Sequence, residues 1–208
     1  MKGSVVVMIL GIDIDGCLND SERWEKESLI EFSKKNQIKL PEDYLLIKHF
    51  GLDDDIYQTY MNEYFPRMVR ENPPRLYTKE VLYALKRLGH TLKIITARDA
   101  LRDKYDEPYK GYMMKRDTLN WFDQNGIPYD NITFSSTTGD FTKGTVCKEE
   151  EIDIMLDDDI KNIEEIVNAG IPCIIMKNIN NQYCDLPNTY LVDNMTGYYN
   201  TVIKLSKL

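Results

Sequence analysis

Carboxylates follow two apolar segments of this sequence at positions that suit metal-assisted phosphoryl chemistry. The segment that begins at Val5 ends in Asp13 and Asp15, and a later apolar segment ends in Asp157 and Asp158. Carboxylates gathered at one place repel one another and disfavour joint ionisation. Mg²⁺ offsets that repulsion, because this hard cation prefers oxygen ligands. We therefore predict that these four side chains meet around Mg²⁺, with Asp157 as a direct ligand and Asp158 as a second or outer-shell ligand.

The first pair of acids also predicts a reaction at phosphorus. A carboxylate can attack phosphorus once a metal neutralises the phosphate oxygens, and Asp13 is the predicted nucleophile. Asp15 lies two residues further on, just past the end of the strand. It is predicted to give a proton to the leaving oxygen and then to take one from the attacking water.

Groups that could bind the phosphate follow another apolar segment and open a helix. Thr96, with the backbone N–H groups beside it at Ala97 and Arg98, is predicted to hold the phosphoryl oxygens. Arg98 either contacts substrate or braces its loop, and both readings stay open. Lys143 is predicted to neutralise the charge shared by the nucleophile and the phosphate. Lys148 is the alternative, although a lysine that opens a helix faces the strand-end side of the sheet.

The order of elements indicates an open parallel sheet with helices on both faces, a three-layer α/β sandwich. Strands are predicted at residues 5–13, 91–96, 131–134, 152–156 and 171–176, with an edge strand at 189–192. Helices are predicted between them at residues 79–88, 112–124, 143–151 and 160–169. Ligands bind at the carboxyl ends of such strands, so the polar residues described above would meet at one edge of the sheet.

Residues 21–77 interrupt the alternation and are predicted to form a small helical cap inserted after the first strand. Helices are predicted there at residues 22–35 and 53–69, and the core domain then comprises residues 1–20 and 78–208. The cap is rich in aromatic residues: Trp24, Phe50, Tyr57, Tyr60, Tyr64, Phe65 and Tyr77. They form either a stacking surface for a flat group or simply the core of a small cap, and we favour the second reading for most of them.

Composition limits the classes of partner. The chain has 208 residues and a net charge of -8, which argues against a nucleic-acid polymer as partner. A small phosphorylated metabolite stays compatible with that charge, because a bound cation inverts the local field of an acidic site. The sequence gives no indication of the oligomeric state.

Cysteine usage and the first apolar segment bear on the compartment. The four cysteines include no C-x-x-C pair, and neither histidine is near one, which argues against a zinc site and for a reducing cytoplasm. The segment Val5–Leu10 is too short to span a membrane, and no signal-peptide cleavage site follows it. Met1 and Met8 both remain candidates for the natural start.

Together these motifs resemble the haloacid dehalogenase-type phosphohydrolase superfamily. The residues that carry the resemblance are the segment Ile12–Gly16 (IDIDG), the strand-end Thr96 and the pair Asp157-Asp158, in this order along the chain. The resemblance covers residues 5–20 and 78–192. It implies a Mg²⁺-dependent phosphatase that hydrolyses a phosphate monoester through an aspartyl-phosphate.

More narrowly, the sequence is similar to small bacterial proteins akin to cytosolic 5′-deoxyribonucleotidases. The segments Ile94–Arg98 and Lys143–Cys147, the residue Asn162 after the paired acids, and the helical insertion carry this likeness. It implies a nucleoside or deoxynucleoside 5′-monophosphate as substrate. The alternative is a sugar, polyol or amino-alcohol phosphate from a capsule or polysaccharide pathway.

Other classes of function remain as rivals. Dehalogenation and C–P bond cleavage do not need an acid two residues after the nucleophile, so Asp15 argues against them. A phosphomutase would move phosphate between sugar positions with little net release. A non-catalytic phosphate-binding module is disfavoured because no member of the catalytic set is missing.

Overall fold

The computed structural model describes residues 6–98, 111–135 and 141–207. Its strands are β1 (Ile9–Ile12), β2 (Thr91–Thr96), β3 (Asn131–Phe134), β4 (Ile154–Asp157), β5 (Cys173–Met176) and β6 (Thr189–Val192). Its α-helices are α1 (Ser21–Asn36), α2 (Asp54–Glu71), α3 (Thr78–Arg87), α4 (Gly111–Asn125), α5 (Lys143–Glu149), α6 (Ile160–Asn168) and α7 (Met195–Leu205). Two short 3₁₀ segments, Tyr44–Leu46 and Lys48–Gly51, lie between α1 and α2.

The six strands form one parallel sheet in the order β3-β2-β1-β4-β5-β6. Central strands of such sheets are buried on both faces and read as continuous apolar runs, as β1, β4 and β5 do. In the register of the sheet, Ile12 pairs with Ile94 of β2 and with Leu156 of β4. The carboxyl ends of these three neighbouring strands are therefore aligned.

Apolar side chains cover both faces of the sheet and give the fold three layers. Helices α3, α4 and α7 pack on one face through Val81, Leu82, Leu85, Trp121, Phe122, Met195, Tyr198 and Val202. Helices α5 and α6 pack on the other through Val146, Cys147, Ile163 and Ile166. Full burial of a large apolar side chain contributes about 1.5–3 kcal/mol to the stability of the fold. The packed sheet therefore holds the residues at its edge in fixed positions.

The start of α5 is fixed by two local features. The hydroxyl of Thr142 accepts a hydrogen bond from the N–H of Thr145, which caps the helix at Lys143. Gly144 packs against α6 so closely that a Cβ there would lie 2.6 Å from the carbonyl oxygen of Glu165. The first feature sets where α5 begins, and the second lets its first turn pack closely against α6.

The segment between β1 and α3 is helical and has an apolar cluster of its own. Leu29 and Phe32 of α1 pack with Tyr60 and Tyr64 of α2. No strand lies in this segment, all of which belongs to the described residues. The division into a core of residues 1–20 and 78–208 and a cap of residues 21–77 stays a prediction that this cluster supports.

The predicted three-layer α/β fold with a parallel sheet is confirmed, and the differences are local. The first strand begins at Ile9 and not at Val5, which lies with Met1 outside the described residues. Val6 and Val7 are 54% and 59% exposed, and Val6 N donates to Ser206 O, just after the end of α7, rather than to a neighbouring strand.

Helix α7 had no counterpart among the predicted elements. Its apolar residues Met195, Tyr198 and Val202 do follow helical spacing, but Gly197 and two threonines lower the intrinsic preference for helix. The Asn194 side chain caps it by accepting from Gly197 N. No helix among the described residues is long and apolar enough to cross a membrane.

The buried His90 predicts a pH-dependent contribution to stability. Its Nδ1 accepts a hydrogen bond from the N–H of Met8 at 3.1 Å, and burial lowers the pKa of the imidazole. Below pH ~6.5 the unfolded chain gains a proton that the folded chain resists, so stability falls as the pH falls towards the lowered value.

In a His90→Asn variant the amide oxygen can keep the bond to Met8, and this loss disappears. We expect its free energy of unfolding, measured in urea from pH 7 to pH 5, to fall less steeply than that of the wild type. The difference is at most about 1.4 kcal/mol per pH unit. Equal slopes for the two proteins would contradict the assignment.

Candidate active site

A buried lysine links the ends of two strands at the centre of the site. Asp13 follows β1 directly, and its N–H donates to the Leu156 carbonyl of β4. Lys143, which is 2% exposed, donates to Asp13 Oδ1 and to Asp157 Oδ2, both at 2.6 Å. The exposed Lys148 lies away from these carboxylates on the next turn of α5. The structure therefore brings Lys143, and not Lys148, to the predicted nucleophile.

The protonation states of this cluster follow from burial and charge. Burial alone would lower the pKa of Lys143, but Asp13 and Asp157 hold it well above its ordinary value, so the side chain stays an ammonium. Burial raises the pKa of Asp13 to about 7, Lys143 opposes the rise, and Asp157 and Asp15 add to it. The site therefore carries more negative charge than its one lysine balances.

Asp15 is held by a different cation. Arg98 Nε and Nη2 donate to its two carboxylate oxygens at 2.8 Å each, and Asn19 Nδ2 donates at 2.9 Å. Burial alone would raise the pKa of Asp15, but the Arg98 guanidinium and these hydrogen bonds hold it below its ordinary value. Arg98 is itself braced by a bond from Nη1 to Thr118 Oγ1 at 3.0 Å. Arg98 is thus a clamp on the predicted acid/base residue.

Asp158 faces Asp13 from the loop after β4. Its carboxylate accepts a hydrogen bond from Asn178 Nδ2 at 3.0 Å. Burial, and then repulsion by Asp13 and Asp157, raise the pKa of Asp158 well above its ordinary value. Gly16 makes room for it, because a Cβ at Gly16 would lie only 1.9 Å from Asp158 Oδ2.

Gly16→Ala is expected to displace the Asp158 carboxylate. Gly16 also has a φ of +79°, which disfavours a side chain. Gly170→Ala is the matched control, because Gly170 has a φ of +86° with nothing within 4 Å of its Cβ position. We expect a loss of about 10–100-fold in the affinity for Mg²⁺ with the first variant alone, measured by Mg²⁺ titration of activity. Equal losses in both variants would show that only backbone strain matters.

The donor set fits a hard cation between Asp13 and Asp158. Oxygen atoms of both carboxylates and Cys17 Sγ lie within 4.8 Å of one another, the one such group among the described residues. Burial raises the pKa of Cys17 well above its ordinary value, so the sulfur stays a thiol and the two carboxylates are the suitable ligands. Asp157 is not part of this group; its Oδ2 accepts from Lys143, and its Oδ1 accepts from Asp159 N and Asn162 Nδ2.

A cavity of about 340 Å³ opens over these residues and includes Thr96. Thr96 ends β2 and is buried, with its Oγ1 3.4 Å from the N–H of Arg98. The other lining residues are Asp13, Asp15, Ala97, Arg98, Lys143, Asp158, Asp159, Lys161 and Asn162. All the residues predicted for the site except the buried Asp157 line this cavity, and Asp157 contacts it through Lys143.

Sequence reasoning missed three polar residues that hold the site together. Asn19 belongs to the same turn as Asp15, and its side-chain oxygen accepts the N–H of Gly16. Arg75 fixes that turn by donating to the carbonyl oxygens of Gly16 and Asn19 at 3.0 to 3.2 Å. Asn178 lies two residues after β5, so the strand-end rule applied to the fifth strand would have pointed to it.

A second cavity, the aromatic cavity, has a volume of about 220 Å³ and opens beside Asp15 between helices α1 and α2. Its lining residues are Asp15, Ser21, Trp24, Glu25, Phe50, Tyr57, Tyr60, Met61, Tyr64, Phe65 and Met68. Six of the seven aromatic residues noted in the sequence line it, and Tyr77 does not.

Comparisons with solved structures identify the fold, whereas no protein-family model and no curated protein matches the sequence. A haloacid dehalogenase-like hydrolase from Streptococcus pneumoniae is 15% identical with a TM-score of 0.63, over 94% of this chain and 98% of that chain. A predicted phosphatase from Clostridium acetobutylicum is 18% identical with a TM-score of 0.66, over 96% and 99%.

A third structure is CbbY from Rhodobacter sphaeroides in complex with xylulose-(1,5)-bisphosphate. It is 13% identical with a TM-score of 0.58, over 91% of this chain and 95% of that chain. The protein thus has the fold of the haloacid dehalogenase-like hydrolases, as the sequence motifs predicted. At these identities the likeness concerns the fold, and the reaction has to be argued from the site.

Proposed function

We propose that this protein is a Mg²⁺-dependent phosphatase that hydrolyses a phosphate monoester of a small metabolite through an aspartyl-phosphate on Asp13. The observation that carries the proposal is Lys143, a buried ammonium 2.6 Å from both Asp13 and Asp157 at the aligned strand ends. A lysine placed in this way keeps the Asp13 carboxylate oriented and offers positive charge to an incoming phosphate. The fold shared with known hydrolases supports the same reading.

Asp13 and Asp158 would hold the Mg²⁺ ion, with Asp157 retained as the partner of Lys143. When bound, Mg²⁺ supplies charge that neutralises the phosphate oxygens and lets an anionic nucleophile approach. This arrangement differs from the prediction that Asp157 is a direct ligand. Among the described residues, the group of donor atoms within 4.8 Å of one another contains Asp13 and Asp158 but not Asp157.

Asp13 would attack phosphorus through a carboxylate oxygen as the bond from phosphorus to the leaving oxygen breaks. Lys143 would donate to the charge that develops near Asp13, and Thr96 with the N–H groups beside it would hold the transferred group. Water would then cleave the acyl phosphate and return Asp13 to its free carboxylate.

Asp15 would move protons for both half-reactions, under the control of Arg98. With both oxygens bound to Arg98, Asp15 is ready to take a proton from water. To protonate the leaving oxygen, Asp15 must first gain a proton, which the phosphate monoanion would give it on binding and so become the dianion. The guanidinium must also turn away from Asp15. The phosphate dianion is a suitable competing partner for it, since Arg98 lines the same cavity.

The leaving group would occupy the aromatic cavity, which opens next to Asp15. A nucleoside or deoxynucleoside 5′-monophosphate is one candidate, supported by the aromatic walls. A sugar, polyol or amino-alcohol phosphate is the other, and the xylulose bisphosphate bound by CbbY is an example of a sugar ester on this fold. Both candidates use the same phosphoryl chemistry.

The proposal predicts release of inorganic phosphate from a panel of nucleotides, sugar phosphates and amino-alcohol phosphates in the presence of Mg²⁺. A chelator should lower the rate at least about 100-fold, because metal stabilisation of the transferring phosphate contributes several kcal/mol, and added Mg²⁺ should restore it. Absence of release from every ester by the folded, Mg²⁺-supplied protein would instead favour a phosphate-binding module.

A further inference from the structure

We propose that the aromatic cavity binds a positively charged ammonium group of the leaving alcohol, which makes phosphate monoesters of amino alcohols the preferred substrate class. This inference rests on the proposed phosphatase function for its chemistry. The preference for an ammonium group is argued from the cavity alone. An experiment can therefore reject that preference and leave the proposed phosphatase function standing.

Six aromatic residues line the cavity. Tyr60 and Tyr64 are stacked with ring centroids 5.3 Å apart, and Phe50 meets Tyr60 edge-on at 5.8 Å. The Tyr60 hydroxyl is bonded to Ser28 and the Tyr64 hydroxyl to Glu31, so their polar ends are already engaged. Rings with negative faces attract ammonium groups, most strongly where water is excluded.

A cation already lies against the same rings from outside the cavity. The guanidinium carbon of Arg67 is 4.9 Å from the Tyr64 ring centroid and 6.0 Å from that of Trp24. Its charge is balanced by Glu31 at 3.1 Å and Glu71 at 3.5 Å. Two of the rings that line the cavity therefore already contact a cation within the fold.

The charged groups of the cavity are acidic. Asp15 and Glu25 line it, and no lysine, arginine or histidine does so among the described residues. Asp15 is paired with Arg98, whereas the half-buried Glu25 side chain has no hydrogen bond or ion pair with residues 6–98, 111–135 or 141–207. Burial, and then repulsion by Asp15 and Glu22, raise the pKa of Glu25 to about 7. An ammonium group in the cavity would provide the missing countercharge.

The size of the cavity favours a small leaving group. Its volume of about 220 Å³ is below the ~300 Å³ at which pockets for drug-sized ligands begin. A nucleoside would need more room than a short alkylammonium group. The size of the cavity, its aromatic lining and its unbalanced acidic charge therefore all favour a small ammonium group as the occupant.

The test compares two esters that differ only in charge: phosphocholine and its carbon isostere, 3,3-dimethylbutyl phosphate. We expect kcat/KM to favour phosphocholine by about tenfold or more, the range of a desolvated cation–π site. Hydrolysis of p-nitrophenyl phosphate in the same assay reports the phosphatase activity itself. If that ester is hydrolysed and the two matched esters react equally, the inference is wrong and the proposed function stands.

Glu25→Gln isolates the contribution of the carboxylate at nearly constant shape. We expect it to lower kcat/KM more for phosphocholine than for the neutral ester, so that the preference for phosphocholine falls about tenfold, whereas an unrelated exposed carboxylate should leave the preference unchanged. Glu27→Gln is the matched control, because Glu27 lies on the same helix, is exposed and does not line the cavity. Equal effects of the two variants would mean that only the overall charge of α1 matters.

Calorimetry with choline itself tests the cavity without turnover. The wild type should bind choline measurably more tightly than 3,3-dimethylbutan-1-ol, and Glu25→Gln should reduce the difference. That result would support the inference even if no ester were hydrolysed. Equal binding of the two alcohols, or a higher kcat/KM for a nucleoside monophosphate than for phosphocholine, would overturn it.

Discussion

Asp13→Asn is expected to abolish phosphate release, with a loss of at least about 10⁴-fold in kcat, as when a residue of a catalytic unit is removed. The amide is a poor nucleophile and cannot form the acyl phosphate. The fold should survive, because Lys143 keeps Asp157 as its partner. Unfolding in urea should give a free energy within about 1 kcal/mol of the wild-type value.

Asp55→Asn is the matched control for the loss of one carboxylate, since Asp55 is exposed on α2 and far along the chain from the site. It should retain wild-type kinetics. Turnover that survived in a folded Asp13→Asn protein would rule out Asp13 as the nucleophile. The urea measurement shows whether an inactive Asp13→Asn protein is still folded, and only a folded inactive protein supports the assignment.

Lys143→Met is expected to affect both rate and stability. It removes the positive charge that faces the nucleophile, for which we expect a loss of about 10²–10³-fold in kcat. It also leaves Asp13 and Asp157 buried without a counterion, which typically costs about 3–5 kcal/mol in the free energy of unfolding. Phosphate-release kinetics and urea unfolding measure the two effects.

Two further variants sharpen this result. Lys148→Met removes an exposed lysine from the same helix and should change neither quantity appreciably. The double variant of Lys143→Met with Asp13→Asn should be more stable than Lys143→Met alone, because one unpaired carboxylate is gone. A stability loss that did not depend on Asp13 would show that Lys143 acts through packing.

The strand-end residues were accessible from sequence because one simple rule covers them. A buried parallel strand reads as a continuous apolar run, and in such a sheet the carboxyl ends share one edge. Asp13, Thr96 and Asp157 each follow or end such a run, and the register brings the three ends together. The alternation of elements predicted the layers of the fold by the same reasoning.

The pairing of charges within the site was not accessible in this way. Arg98 and Asp15 are 83 positions apart, and nothing in the local pattern indicates that the arginine clamps the acid. The different roles of Asp157 and Asp158 depend on which carboxylate turns towards Lys143, a choice made by side-chain packing. Glu25 reads as an ordinary acidic residue on the surface of a helix until the fold brings Asp15 beside it.

The most direct test of the central claim is to look for the covalent intermediate. The protein would be mixed with a good phosphate ester and Mg²⁺, quenched in acid within a fraction of the turnover time, digested and analysed by mass spectrometry. We predict one phosphoryl group on the peptide that contains Asp13, and none after the same treatment of Asp13→Asn. Steady turnover with no phosphoryl group on that peptide, or with the group on another residue, would contradict the mechanism.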